Sequence, residues 1–242
     1  MTDVHVVTMA DLAPLETMRR CIGANFGEGT WSDTPAPEYR AHVARVQDIL
    51  NTGDMARRIA RTVRPQLRAL LGSDNIMIQS NLYLRAARPV AGAQEAVGWH
   101  RESMYGCQRQ ALNVWVPVLG CTPSNSIKYV PGSAAIPDDA MTVTGGGDSA
   151  GVEKGSSGHK IGLLYAPKRI VGGVDFSTAI PFDVHSGELA IFHSLLIHGA
   201  AINQTDKIRF SVDFRVIAAE HVGAQKVSFA GDGAEYFLRL GE

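Results

Sequence analysis

The spacing of apolar residues changes period once along this chain. Between residues 37 and 71, Val43, Val46, Leu50, Met55, Ile59, Val63, Leu67, Leu70 and Leu71 recur mostly at steps of three and four, the repeat of a helix with one buried stripe. From Asn75 onward the repeat is two. The runs 76–84, 112–118, 127–130, 188–193 and 208–216 read as strands. Gly, Pro and Ser punctuate them, as at Pro131-Gly132-Ser133 and His185-Ser186-Gly187. A helical part at about 9–72 followed by short strands at about 75–230 predicts a mainly β fold, a sandwich or barrel with N-terminal helices. No internal repeat or linker interrupts it, so a single domain over 1–242 is expected.

Within the helical part, Asn51-Thr52-Gly53-Asp54 interrupts the periodicity, and Asp54 is placed to cap the second helix. Pro65 predicts a kink or an early stop near Arg64. Arg57, Arg58, Arg61, Arg64 and Arg68 read as a solvated helix face. Residues 142–159 carry six glycines and almost no apolar side chains. Such a segment is either a lid over a site or a disordered insertion.

The charge balance is even, 23 basic against 24 acidic residues, so nothing steers the chain toward nucleic acid or an anionic membrane. No apolar run approaches the ~20 residues of a membrane helix. The N-terminus lacks the basic-then-apolar order of a secretory signal. A cytoplasmic location is the expectation. Cys21, Cys107 and Cys121, sparse and odd in number, read as free thiols of a reducing compartment.

His100 and Glu102 are two residues apart, and on a strand such residues face the same side. Joined by a distant imidazole, they form the set of two His and one carboxylate that holds ferrous iron and leaves coordination positions open. His198 and His193 compete for the third place. Arg209, in the strand that follows, suits a bidentate clamp on a carboxylate. A lone His-x-Glu pair also arises by chance on surface strands, so the weight lies on the joint pattern.

That pattern resembles the phytanoyl-CoA dioxygenase-like group of iron(II)/2-oxoglutarate oxygenases. The resemblance runs from about Gln79 to Val216. The run Leu112-Asn113-Val114-Trp115-Val116-Pro117-Val118, then Ser126-Ile127-Lys128-Tyr129-Val130-Pro131-Gly132-Ser133, is similar to the family's strand pair ending in a Val-Pro-Gly-Ser turn. Gly187-Glu188-Leu189-Ala190-Ile191-Phe192-His193, followed by His198-Gly199, Asn203 and Arg209, resembles its second metal strand. The eleven-residue step from His198 to Arg209 is similar to the family's spacing and favours His198 over His193.

The resemblance implies a double-stranded β-helix (jelly-roll, cupin-like) core, with iron(II) held by His100, Glu102 and His198. It implies that 2-oxoglutarate chelates the iron and that its far carboxylate pairs with Arg209, aided by Ser211. Asn81, Tyr83 and Trp115 are further candidates for that pocket. The implied activity uses O₂ to hydroxylate, desaturate, epoxidise or cyclise a small molecule, with release of succinate and CO₂. Glu102 stands where the family usually has Asp. Halogenating relatives have Gly or Ala there, so a carboxylate argues for oxygenation over halogenation. Arg85, Arg88, Arg101, Gln108 and Arg215 are read as polar residues at the mouth, Arg101 facing outward. Two other readings stand beside this one: a cupin-type dioxygenase that needs no 2-oxoglutarate, and a non-catalytic jelly-roll binding protein. A small-molecule substrate, in natural-product biosynthesis, is favoured over a nucleic acid or a membrane. The oligomeric state is left open.

Overall fold

The computed structural model describes residues 2–89, 98–105, 107–144, 169–222 and 236–241. Four helices lie in the N-terminal part: α1 Ala13–Phe26, α2 Ala36–Thr52, α3 Met55–Thr62 and α4 Arg64–Leu71. Proline stands in the first turn of α1, α2 and α4, where its missing N–H has no helical partner to lose. Pro65 therefore does more than kink a helix. It opens α4, and Val63 alone separates α4 from α3. Asp54 does precede α3, but it lies at φ 53° and its side chain caps no amide. The carboxylate pairs with Arg57 at 3.5 Å instead. The five arginines of this segment are half-buried or exposed, as a solvated face requires.

The strands are β1 Val4–Thr8, β2 Ile76–Gln79, β3 Tyr83–Ala87, β4 Leu112–Leu119, β5 Ile127–Tyr129, β6 Thr142–Thr144, β7 Arg169–Gly172, β8 Ile180–Pro181, β9 Glu188–His193, β10 His198–Ala200, β11 Arg209–Ala218 and β12 Phe237–Arg239. All pairings are antiparallel. The large sheet runs β1-β9-β4-β11-β2-β12, with β3 beside β2 along the same edge of β11. The small sheet runs β10-β5-β8, and β6 pairs with β7. The fold is thus mainly antiparallel β with N-terminal helices. Of the glycine-rich run, 142–144 form β6, and 145–159 lie outside the described residues.

Two departures from the alternation pattern have local causes. The run 76–84 is two strands, because the amides of Ser80 and Leu82 turn to the Tyr236 carbonyl at 2.9 Å and to Asn51 Oδ1 at 2.9 Å. The ladder to β11 lapses between them. β1 carries no turn signal at its start and no clean alternation, yet it extends the sheet from Val4 opposite Phe192 to Thr8 opposite Glu188.

Parity along β4 and β11 sorts the molecule into layers. Val114, Val116, Val118, Phe210, Val212, Phe214 and Val216 face the helices. They pack with Leu15, Met18, Ile22, Tyr39, Val46, Leu50, Ile59 and Leu67 in one buried cluster. At about 1.5–3 kcal/mol per buried large apolar side chain, this layer dominates the stability of the fold. The residues of opposite parity face the other way. Trp115, Ala190 and Phe192 meet Ile127 and Tyr129 of the small sheet and Phe182 just past β8, and the polar side chains of β11 share that face. Among the described residues no helix is long and apolar enough to cross a membrane. The three cysteines are free and partly buried, and burial pushes Cys107 and Cys121 up to about 11.

Candidate active site

His100 and His198 exchange backbone hydrogen bonds of 3.0 and 2.9 Å, an isolated antiparallel bridge. This sets their rings 4.3 Å apart, centroid to centroid. Glu102 does not continue a strand, as its spacing suggested. The amides of Glu102 and Ser103 both turn to the carbonyl of Ser194, at 3.0 and 3.4 Å, and a short 3-10 helix begins at Glu102. The carboxylate still arrives beside the imidazoles, because the turn folds it back toward them. Its Oε1 lies 3.7 Å from His100 Nε2 and 3.5 Å from His198 Nε2. His193 is not brought to this cluster. Its Nδ1 accepts from the amide of Leu195 at 3.2 Å.

The tautomers follow from the partners. His100 Nδ1 meets the Gly98 carbonyl at 2.7 Å and His198 Nδ1 meets the Leu196 carbonyl at 2.9 Å. A carbonyl only accepts, so each Nδ1 carries the proton and each Nε2 presents a lone pair. Burial, then the neighbouring His198, lowers the His100 pKa, which keeps that ring neutral. Burial would raise Glu102, but Arg215 and the two imidazoles hold it well below the usual carboxylate range. Two imidazoles, each with Nε2 free, and one carboxylate result. Among the described residues they form the one group of three or more His, Cys, Asp or Glu side chains able to converge on a metal ion. Their ligand atoms lie within 4.8 Å of one another, and all three residues are buried. The donor set fits an iron(II) ion that keeps open positions.

Arg209 and Ser211 stand on the same face of β11, both buried. Arg209 Nη1 donates to the carbonyl of Asn125 at 3.1 Å. Among the described residues no carboxylate lies within ion-pair distance of it. Nε of Arg209, Oγ of Ser211 and Oγ of Ser126 are buried without a hydrogen-bond partner, and each such group costs about 1–3 kcal/mol. A buried guanidinium that shares a strand face with an unused serine hydroxyl has the chemistry to hold an anion.

The loops that aim Arg209 are tightly tied. Asn203 Nδ2 donates to the carbonyls of Ala87 and Lys207 at 2.8 and 2.7 Å, and its Oδ1 accepts from Thr205. Gly120, at φ +64°, lets β4 pass the incoming strand. A Cβ there would lie 2.3 Å from the carbonyl oxygen of Ile208.

Of the other candidates, Tyr83 stands on β3 opposite Asp213. Burial, against the pull of Arg215 and Arg85, raises its pKa. Trp115 is buried among Phe182, Ala190 and Phe192, with Nε1 unpartnered. Asn81 lies half-buried in the link before β3.

The residues read as a polar mouth divide. Arg101 is wholly buried, not outward-facing. It donates to the carbonyls of Ser133 and Ile136 at 3.0 Å each and to Asp138 at 2.8 Å. Ser133 Oγ in turn accepts from the amide of Ile197 at 2.9 Å. The Pro-Gly-Ser turn therefore braces the chain beside all three triad residues. Arg88 lies over the Tyr39 ring, 4.2 Å from its centroid, and ties down Trp31 and Thr34. Arg85 pairs with Asp213 at 2.6 Å. The backbone carbonyl of Gln108 accepts from Ser194 Oγ at 3.0 Å. Arg215 alone reaches the triad, through Glu102 Oε2. The sequence offered a signal for it: Arg215 stands at an even offset from Arg209 and shares its face. Asn113 and Gln79, with unpartnered buried amide nitrogens, also share that face and escaped the sequence reading.

No curated protein sequence matches the chain. Among solved structures it is similar to EvdO2 from Micromonospora carbonacea var. aurantiaca complexed with 2-oxoglutarate, with TM-score 0.57 and 15% identity over 90% of this chain and 87% of that one. It is similar to SnoN, described as a non-heme alpha-ketoglutarate-dependent epimerase from nogalamycin biosynthesis, with TM-score 0.50 and 16% identity over 100% and 92%. It is also similar to the non-heme monooxygenase ThoJ, with TM-score 0.50 and 20% identity over 90% and 74%. These likenesses speak for a shared fold. The family sequence model of phytanoyl-CoA dioxygenase matches residues 14–211, most of the chain and all of the triad and Arg209. The chain belongs to the phytanoyl-CoA dioxygenase family of oxygenases that use iron(II), 2-oxoglutarate and O₂.

Proposed function

We propose that this oxygenase oxidises a small organic molecule, with His100, Glu102 and His198 as the iron ligands and Arg209, aided by Ser211, as the clamp for 2-oxoglutarate. One observation carries the reading. Two Nε2 lone pairs and a carboxylate oxygen converge on the sheet face that also holds a buried guanidinium with no carboxylate partner among the described residues. When bound, iron with 2-oxoglutarate and O₂ supplies oxidation of an unactivated C–H bond, with succinate and CO₂ released.

The chain's own residues prepare the site. The carbonyls of Gly98 and Leu196 fix the imidazole planes. Arg209 and Ser211 orient the co-substrate by its far carboxylate, a charge-assisted and geometrically selective contact. Trp115, Phe182 and Phe192 wall one side with apolar surface; the Phe192 ring lies 4.9 Å from that of His198. That wall excludes water from the reacting centre. The two sheets facing one another across this layer support a double-stranded β-helix core, and we take 1–242 as one catalytic domain. Glu102, a carboxylate, favours hydroxylation or a related oxidation over halogenation. SnoN, named for nogalamycin biosynthesis, favours a natural-product substrate.

The test is succinate formation. Aerobic incubation with Fe(II) and 2-oxoglutarate should yield succinate slowly without substrate and faster with it. The mass of the product then separates hydroxylation from desaturation. His100→Ala should form none. Wild-type protein that neither binds Fe(II) nor forms succinate with any of a broad substrate panel contradicts the proposal. Metal binding without 2-oxoglutarate affinity replaces it with the cupin-type reading.

A further inference from the structure

The two oxygens of Glu102 have separate partners. Oε1 faces Nε2 of both imidazoles, and Oε2 is held by Nη2 of Arg215. Arg215 is itself fixed from behind, its Nη1 donating to Gln79 Oε1 at 3.2 Å and to the Tyr236 hydroxyl at 3.1 Å. Its amide donates to the same Gln79 oxygen at 3.2 Å. The guanidinium is thus anchored to β2 and to the chain just before β12, and it cannot follow the carboxylate if the carboxylate turns.

A free glutamate offers a metal either one oxygen or both, and a two-oxygen grip fills a coordination position. We infer that Arg215 is a positioning residue that restricts Glu102 to one metal-ligating oxygen, Oε1, and so keeps a position free for co-substrate or O₂. The inference rests on the proposed metal site. Glutamate is long and has three side-chain torsions, so an isolated Glu102 would sample both modes. The pairing with Arg215 removes the freedom that matters. An arginine suits the task because its charge is permanent and its donors lie in a rigid plane.

Cobalt(II) is a suitable probe, since its visible absorption reports coordination number without turnover. Wild-type protein should bind Co(II). Arg215→Met should weaken Co(II) binding about 10–100-fold, the usual cost of losing a ligand's outer partner, and should alter the absorption band. Arg215→Lys, which keeps the charge and one donor, should recover part of both. A variant that unfolds would confuse this comparison, so a second pair guards it. In Glu102→Gln the side chain has one acceptor oxygen, and Arg215 should claim it, turning the amide nitrogen toward the imidazoles and weakening Co(II) binding below that of Arg215→Met. Adding Arg215→Met to Glu102→Gln should free that oxygen and restore binding roughly tenfold, a coupling typical of residues in contact. A merely structural Arg215 predicts further loss in the double variant. Unchanged affinity and spectrum in Arg215→Met, or no recovery in the double variant, overturns the inference. Failure of the wild type to bind Co(II) overturns the metal-site reading instead.

Discussion

The amide of His100 donates to the carbonyl of His198 at 3.0 Å, and the amide of His198 returns the bond to His100 at 2.9 Å. One antiparallel bridge thus fixes two imidazoles that lie nearly a hundred positions apart in the sequence. The pairing of the two rings depends on keeping that bridge closed.

Ser133 is one of its supports. Ser133→Ala removes the acceptor for the amide of Ile197, the residue before His198. A buried donor left alone costs about 1–3 kcal/mol, and each kcal/mol lowers the melting midpoint of a chain this size by about 2–4 °C. Thermal unfolding should show that loss, and metal affinity should fall with it. A variant as stable as the wild type would mean that the turn does not brace the site.

Arg209→Met should leave metal binding intact and weaken 2-oxoglutarate by roughly 1.5–3 kcal/mol, the worth of a charged hydrogen bond. That is about a 10–150-fold loss in an anaerobic calorimetric titration. Equal loss of metal and co-substrate would instead mean that the variant disturbs the sheet.

Gly120→Ala should act on Arg209 at a distance. The residue lies at φ +64°, and the added Cβ would meet the Ile208 carbonyl oxygen at 2.3 Å. Either the strand moves or the backbone strains, at about 1–3 kcal/mol. Co-substrate affinity should drop more than metal affinity. The same titration checks both.

Two partly buried thiols set an alkaline limit. Cys107 and Cys121 are pushed up to about 11 by burial, above an ordinary thiol at about 8.5. A group whose folded pKa is raised stabilises the fold below its unfolded pKa and loses that contribution as pH rises toward the folded one. Urea midpoints should therefore fall between pH ~8.5 and ~11. They should fall less in a variant with both residues replaced by alanine. Equal pH slopes for the two proteins would contradict the assignment.

The Arg209 side of the site was legible because it lies on a regular strand. Arg209 and Ser211 share a face by the period of two, and the alternation of β4 and β11 separates the helix-packed layer from the polar one. The helical part was readable from its three- and four-residue steps, with Pro65 marking the break. What escaped was set by single hydrogen bonds. Glu102 leaves the strand geometry because its amide turns to Ser194. Arg101 is buried because three carbonyl and carboxylate partners await it across the 133–138 turn. The pairing of β1 with β9 joins residues whose own pattern says little. Such partners are distant in sequence, and periodicity carries no information about them.

The most direct test of the account is a crystal structure of the protein grown anaerobically with Fe(II) and 2-oxoglutarate. The account predicts a metal ion bonded to Nε2 of His100, Nε2 of His198 and one oxygen of Glu102, with the far carboxylate of 2-oxoglutarate on Arg209. A metal bound elsewhere, or a co-substrate whose far carboxylate avoids Arg209, would contradict it.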